Sequence, residues 1–265
     1  MNKPRYTNNK NNSNKIIQDI LTFIIILVIL FLSSMHLNLN LGKFVSGIPN
    51  IVRFIVNMFP PDFSVVPALL ADTLITLETA LWGTLIGVIV SLFMSVFAAR
   101  NLLGKNPIIG GITRFIFTLF RSLPDMVWAL IFVSAVGLGT FAGVLALIVY
   151  SIGELGKIFA EAIENIDEGP REALESTGAN QFKVTMYAIV PQISPEIITF
   201  SLFRFESNVR RAFILGMVGA GGLGFQLNVS LRLFRYHEVS AIIILIITIV
   251  VLTDTVSGYL RSKII

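Results

Sequence analysis

Cysteine is absent from this 265-residue chain, which excludes disulfides, thiolate metal sites and a cysteine nucleophile. Histidine is almost as scarce. His36 and His237 stand about 200 residues apart, so a histidine-based metal or acid–base centre is poorly supplied. Charge is sparse too: Asp, Glu, Lys and Arg make up 14% of the chain, where soluble domains carry roughly a quarter. No basic stripe is interleaved with aromatics in the manner of a nucleic-acid-binding face, so nucleic acid is not an expected partner despite the net charge of +4. A phosphate-binding lysine loop is missing as well. Gly42-Lys43, Gly104-Lys105 and Gly156-Lys157 are followed by Phe44, Asn106 and Ile158, none of which supplies the Ser or Thr that such a loop places on magnesium.

What the chain has in abundance is apolar sequence. Hydrophobic residues are 54% of the total and the mean hydropathy is +0.80. The excess is gathered in long runs, which points to a bilayer as the solvent and to an all-α polytopic membrane protein. A bilayer core takes about 20 residues of helix. Six spans fit, near Ile16–Met35, Thr73–Ala99, Ile112–Val136, Phe141–Ile163, Ile193–Val218 and Val239–Arg261. The polar, basic Met1–Lys15 followed by an apolar stretch suggests a signal peptide, but no small-x-small cleavage pattern follows it, so Ile16–Met35 reads as an uncleaved first span.

Lys and Arg in short loops set the orientation. With the amino terminus inside, the inner segments hold Lys3, Arg5, Lys10, Lys15, Arg100, Lys105, Arg114, Arg171, Lys183, Arg261 and Lys263, against Lys43, Arg53, Arg232 and Arg235 outside. Both termini are therefore expected in the cytoplasm. Phe44, Ile48, Ile51, Val52, Ile55 and Phe59 recur at helical spacing, and Phe44–Phe59 reads as an amphipathic helix at the outer interface ended by Pro60-Pro61. Residues 1–70 thus form a tail, a first span and an interfacial helix, and residues 71–265 form the core. There is no internal repeat and no separate soluble domain.

Between the fourth and fifth spans lies a long inner segment, Glu164 to Gln192. Asp167 or Glu168 can cap a short helix there, Pro170 fits its first turn, and Gly178 can close it in a left-handed conformation. On local physics alone this could be an ordinary surface connector. The segment also resembles the cytoplasmic signature of type I ABC importer permeases, which runs Glu-Ala-Ala, three residues, Gly, nine residues, Ile, one residue, Leu-Pro. This chain reads Glu172-Ala173-Leu174, then Gly178, then Ala188, Val190 and Pro191, departing from the pattern at Leu174, Ala188 and Val190.

That resemblance implies the permease fold of the family and a coupling helix near 168–180. In the family this helix sits in a groove on a separate ATPase subunit, which binds ATP and magnesium; no cofactor is expected in this chain, and it is not itself an enzyme. Glu172, Ala173 and Gly178 would shape and dock the helix, and Pro191 would fix a break before the fifth span. The implied partners are a second permease subunit, in a homodimer, two ATPase subunits and an extracellular or periplasmic solute-binding protein, in the bacterial plasma (inner) membrane.

Three further stretches resemble phosphonate importer permeases: Gly156–Asp167 with Gly169-Pro170, Arg204–Arg210, and Leu215–Gly224. The likeness covers about residues 70–260. It implies a phosphonate or a related phosphorus oxyanion (phosphite, phosphate) as solute. The same machine moving methionine or glycine betaine is the near alternative. A stand-alone secondary transporter is the alternative of another class, and it would show repeat symmetry. A membrane enzyme would need a clustered nucleophile and base, which the chain lacks.

A charge at mid-membrane costs roughly 2.5–3.5 kcal/mol on insertion scales, yet the fifth span holds Arg204, Glu206, Arg210 and Arg211. Arg204, Asn208 and Arg211 share one stripe, a candidate oxyanion path; the alternative is snorkelling or interhelical pairing. Glu206 and Arg210, four apart, are a candidate structural pair. Glu154, Lys157 and Glu161 line one stripe of the fourth span as a candidate ion-pair ladder, and Arg121 and Asp125 flank Pro124 in the third span, where they could pair across a break in the helix. Gly219, Gly221, Gly222 and Gly224 match a dinucleotide fingerprint by letters. Following a membrane helix rather than a strand, they are not read so. In the resembled family this segment lies near the outer gate, and the other reading is a tight turn.

Overall fold

The computed structural model describes residues 9–37, 39–102 and 106–263. Lys3, Arg5 and Lys105, counted above for orientation, lie outside the described residues, as does the side chain of Lys10. The described residues are helical, with no strand among them. Two compact units divide at Val56/Asn57. The first holds α1 (Asn9–His36) and most of α2 (Leu41–Asn57). α1 contains the apolar stretch Gln18–His36, long enough to cross a membrane. α2 is the amphipathic helix expected from the spacing, and it ends at Asn57, short of Pro60-Pro61.

The second unit holds α3 (Val66–Ala98), α4 (Pro107–Ser122), α5 (Asp125–Val136), α6 (Thr140–Glu164), α7 (Glu168–Ser176), α8 (Gln181–Val184), α9 (Val190–Leu215), α10 (Gly222–Arg232) and α11 (Tyr236–Arg261). Among the described residues four helices are long and apolar enough to span, and the number reaches six if each of two bent pairs counts as one span. The break at Pro124 is expected from sequence; the bend in the fifth span is not. α4 and α5 meet at 92°, because Leu123 precedes Pro124 and is held extended (φ −94°, ψ 134°), where a helix cannot continue. The fifth span is bent by 57° between Ala220 and Gly222 and continues into α10, a helix the sequence reading did not include.

The core is organised by α3 and α6. Thr79, Gly83, Gly87, Ser91 and Ser95 recur every fourth residue of α3 and all are buried. A Cβ on Gly83 would come within 2.6 Å of Leu147 Cβ, and one on Gly87 within 2.6 Å of Ser151 Cβ. Thr79 likewise lies against Gly143. Each four-residue step along α3 matches a four-residue step along α6 in the same sense, so the two helices run parallel. Small side chains let their backbones approach, as membrane helices require when lipid removes the hydrophobic drive to associate. Val209, Ala212, Phe213 and Leu215 of α9, Leu223 of α10 and Ile242 of α11 complete the buried cluster. α4 crosses α6 where Gly153 faces the backbone of Arg121 and Gly156 faces the ring of Phe117.

Candidate functional site

Two structures within the second unit carry the chemistry: a chain of charged groups between α5, α6 and α9, and the short helix α7 with its anchors.

Arg211 Nη1 donates to Asp125 Oδ2 at 3.0 Å, and its Nη2 donates to the Tyr150 hydroxyl at 3.2 Å. That hydroxyl donates to Glu154 Oε1 at 2.7 Å, and Glu154 Oε2 pairs with Arg204 Nη2. Both guanidinium groups also lie over the Tyr150 ring, Arg211 at 4.1 Å and Arg204 at 5.5 Å from its centroid. Two cations and two carboxylates thus form one relay around a tyrosine. This corrects two pairings expected from sequence. Glu154 serves Arg204 rather than Lys157, because a buried arginine in a membrane needs its counter-charge. Asp125 serves Arg211 rather than Arg121, because the bend at Pro124 turns α5 away from α4. Lys157 and Glu161 do pair, at 3.4 Å.

The three members of the α9 stripe differ in exposure. Within the subunit Arg204 is 2% exposed and Asn208 0%. The Asn208 amide donates to Thr84 Oγ1 of α3 at 2.9 Å and to Ser151 Oγ of α6 at 3.1 Å, so it ties three helices together. Arg211 keeps a quarter of its side chain exposed. On the other side of α9, Glu206 accepts from Arg210 at 2.9 Å and from Arg261 of α11 at 3.4 Å, while Arg210 also reaches Asp254 at 2.9 Å. The pair expected within α9 is therefore half of a network shared with α11.

The glycine segment begins inside a π-helical turn, Gly216–Ala220. Gly219, Gly221 and Gly222 have φ of 108°, 79° and 68°, conformations closed to most side chains. They let the chain bend: Gly139 N–H donates to Gly219 O at 2.9 Å, and Leu223 N–H donates to Thr76 Oγ1 at 3.0 Å.

α7 forms where its caps predict. The Asp167 side chain accepts from Gly169 N–H at 3.0 Å, and Gly178 sits at φ 75° just past the end. Arg171 bonds Glu175 at 3.0 Å and Glu168 at 3.1 Å. Partial burial opposes its charge, but these two carboxylates outweigh it and raise the guanidinium above its ordinary range. Glu172 and Ala173 point to solvent.

Pro191 does not break the fifth span. The chain from Phe182 to Ala220 is one helix, with a π-helical turn at Thr185–Ile189 just before Pro191. Proline brings no N–H and crowds the carbonyl four residues back, and the wider turn absorbs both. One anchor was missed from sequence. The Gln192 side chain accepts from Asp167 N–H at 2.9 Å and donates to Asp167 O at 3.2 Å and to Ala188 O at 2.8 Å. It fastens the entry of α7 to the start of α9. At the same end of the bundle Arg100 N–H donates to Glu164 at 2.8 Å and Asn101 to Ile163 O at 2.6 Å, fastening the end of α3 to the end of α6.

The sequence model for the inner membrane component of binding-protein-dependent transport systems matches residues 91–265. The chain belongs to that family. This permease is 41% identical over 224 residues to the phosphite transport system permease protein PtxC of Stutzerimonas stutzeri, covering 84% of this chain and 81% of that one. It is 40% identical over 209 residues to the phosphate-import permease protein PhnE of Mycolicibacterium smegmatis, covering 78% of this chain and 38% of that protein. Among solved structures it is similar to the MetNI methionine ABC transporter in an inward-facing form (TM-score 0.66, 17% identity, 77% of this chain and 99% of that chain), a likeness of fold. The permease is thus the multi-pass inner-membrane subunit of an ABC importer, and in such systems ATP hydrolysis is carried by separate ATPase subunits.

Proposed function

We propose that this permease translocates a phosphorus oxyanion, phosphonate, phosphite or phosphate, into the cell. The observation that carries the reading is the identity with permeases named for phosphite and phosphate, 35–41% over most of this chain, against 24% and 27% for two methionine permeases.

In this reading Arg211 is the member of the α9 stripe that meets the solute, since it is the exposed one, and Asp125 is a counter-ion that an incoming oxyanion displaces. Arg204 and Asn208 hold the seam behind it. The glycine segment at Gly219, Gly221, Gly222 and Gly224 is the outer gate. α7 is the coupling helix, docking on an ATPase subunit through Glu172 and Ala173. Gln192 passes its motion to α9, and ATP and magnesium stay in that subunit. Two permease copies, two ATPase subunits and a solute-binding protein make the machine, with both permease termini in the cytoplasm. Residues 1–70 serve as anchor and residues 71–265 as translocating core.

The test is ATPase activity of the reconstituted complex with binding proteins loaded from a solute panel. Stimulation by phosphonate, phosphite or phosphate is expected. Stimulation by methionine or glycine betaine alone would overturn the solute, and uptake by the permease with no ATPase bound would overturn the mechanism.

A further inference from the structure

The relay around Tyr150 is balanced, two cations against two carboxylates, but a second group of cations is not. A cavity of about 340 Å³ opens between α4 and α6, lined by Arg100, Arg114, Arg121 and Lys157 with Glu161 and Glu164. Its volume falls within the roughly 300–1,000 Å³ range of small-ligand sites. A second cavity of about 480 Å³ shares Arg121, Lys157 and Glu161 with it. Both carboxylates are already engaged: Glu164 with Arg114 at 3.0 Å and Glu161 with Lys157 at 3.4 Å. The guanidinium groups of Arg100 and Arg121 have no carboxylate partner among the described residues.

We propose that this cleft is an anion site for a tetrahedral phosphorus oxyanion, carried either by a free phosphate-class anion or by the headgroup of an anionic phospholipid. Arg100 and Arg121, without a carboxylate partner among the described residues, line one cavity, and the guanidinium fork matches the bidentate geometry that phosphate oxygens offer. Four cations against two carboxylates in one cleft repel one another, the apolar wall of Phe117 and Ala160 strengthens that repulsion, and a bound anion relieves it. The wall is rigid, since a Cβ at Gly153 would lie 2.8 Å from the Arg121 backbone nitrogen, which fixes α4 against α6. The cleft lies at the end of the bundle where Arg100 and Asn101 are fastened to Glu164 and Ile163, next to the start of α7. Neither Asp125 nor Arg211 nor any other α9 residue lines it, and Glu154 of the relay lines only the adjoining cavity. On the orientation proposed above it faces the cytoplasmic leaflet, where basic pockets between helices meet anionic headgroups.

The experiment uses the assembled transporter in nanodiscs, without ATP or binding protein. Binding of radiolabelled inorganic phosphate is measured in discs of phosphatidylcholine alone, and retention of phosphatidylglycerol is measured by native mass spectrometry in mixed discs. Arg121→Gln and Arg100→Gln each weaken the bound species by about tenfold, the scale of one charge-assisted contact. Glu161→Gln, which frees Lys157, tightens it. Loss of phosphate binding in the arginine variants identifies a free anion, and loss of phosphatidylglycerol identifies a headgroup. If both species bind the variants as they bind the wild type, if only Arg211→Gln weakens phosphate binding, or if Glu161→Gln fails to tighten it, the proposal is overturned. Solute uptake is not read, so a wrong solute for the transporter leaves this outcome unchanged.

Discussion

Gln192 holds Asp167 by both ends of its side-chain amide, accepting from the backbone N–H at 2.9 Å and donating to the carbonyl at 3.2 Å. Asp167 caps α7 and Gln192 lies in the first turn of α9, so one side chain joins the candidate lever to the helix that bears the charged stripe. Ile166, packed against the cluster that holds Ile189 and Ile193, adds an apolar contact beside it. Each hydrogen bond is worth about 1 kcal/mol net, too little to unfold the bundle and enough to loosen a hinge. Gln192→Leu is therefore expected to leave thermal stability within a few degrees of wild type while lowering uptake per ATP hydrolysed. Unchanged coupling in that variant would remove Gln192 from the transmission path.

The Arg211–Asp125 pair calls for a cycle of variants. Removing one partner of a largely buried pair leaves the other uncompensated, at about 3 kcal/mol. Arg211→Gln and Asp125→Asn should each destabilise the permease in detergent, and the double variant should recover most of the loss, since neither charge remains. Uptake should not recover in the double variant if Arg211 meets the solute. A double variant with full uptake would make the pair structural alone.

How far the sequence reaches can be seen by comparing α7 with α9. The caps of α7 were legible because they are local: Asp167, Pro170 and Gly178 act within a few residues of the helix they bound. The charged residues of α9 were legible as an anomaly, since membrane segments seldom carry so many ionisable groups. The Glu206–Arg210 pair was legible because it is local, but the partners of Arg204 and Arg211 were not, because Glu154 and Asp125 come from other helices and the Asp125 pairing depends on a 92° bend at Pro124 that hydropathy does not register. The stripe Thr79, Gly83, Gly87, Ser91, Ser95 was present as a four-residue repeat of small residues, and a search at that spacing would have found the α3–α6 seam. Gln192 gave no signal, because a lone glutamine after a proline has no pattern.

That seam can be tested by filling it. Gly87→Val puts a branched side chain where a single Cβ already falls 2.6 Å from Ser151 Cβ. Overpacking typically costs about 1–3 kcal/mol, and here it presses two parallel core helices apart. The variant should melt several degrees below wild type in detergent. Gly47, around whose Cβ position nothing lies within 4 Å, is the control and should tolerate alanine without a measurable shift. Equal behaviour of the two would mean that the α3–α6 contact is looser than described.

The absence of cysteine makes the orientation of α7 directly measurable. Ser176 is exposed at the end of α7, and among the described residues its hydroxyl bonds only the carbonyl of Ala173 in its own helix, at 2.8 Å. Ser176→Cys therefore introduces a single thiol without disturbing a tertiary contact, and no native thiol competes with it. A membrane-impermeant maleimide should leave it unlabelled in intact cells and label it after the membrane is opened. Labelling should fall again when ATPase subunits are present, because a docked subunit would cover the helix. Glu172, exposed and unpaired among the described residues, gives the matching functional variant: Glu172→Lys should release the ATPase subunits on purification while the permease itself melts as before. Labelling of Ser176→Cys from outside intact cells would invert the topology and remove α7 from the ATPase side altogether.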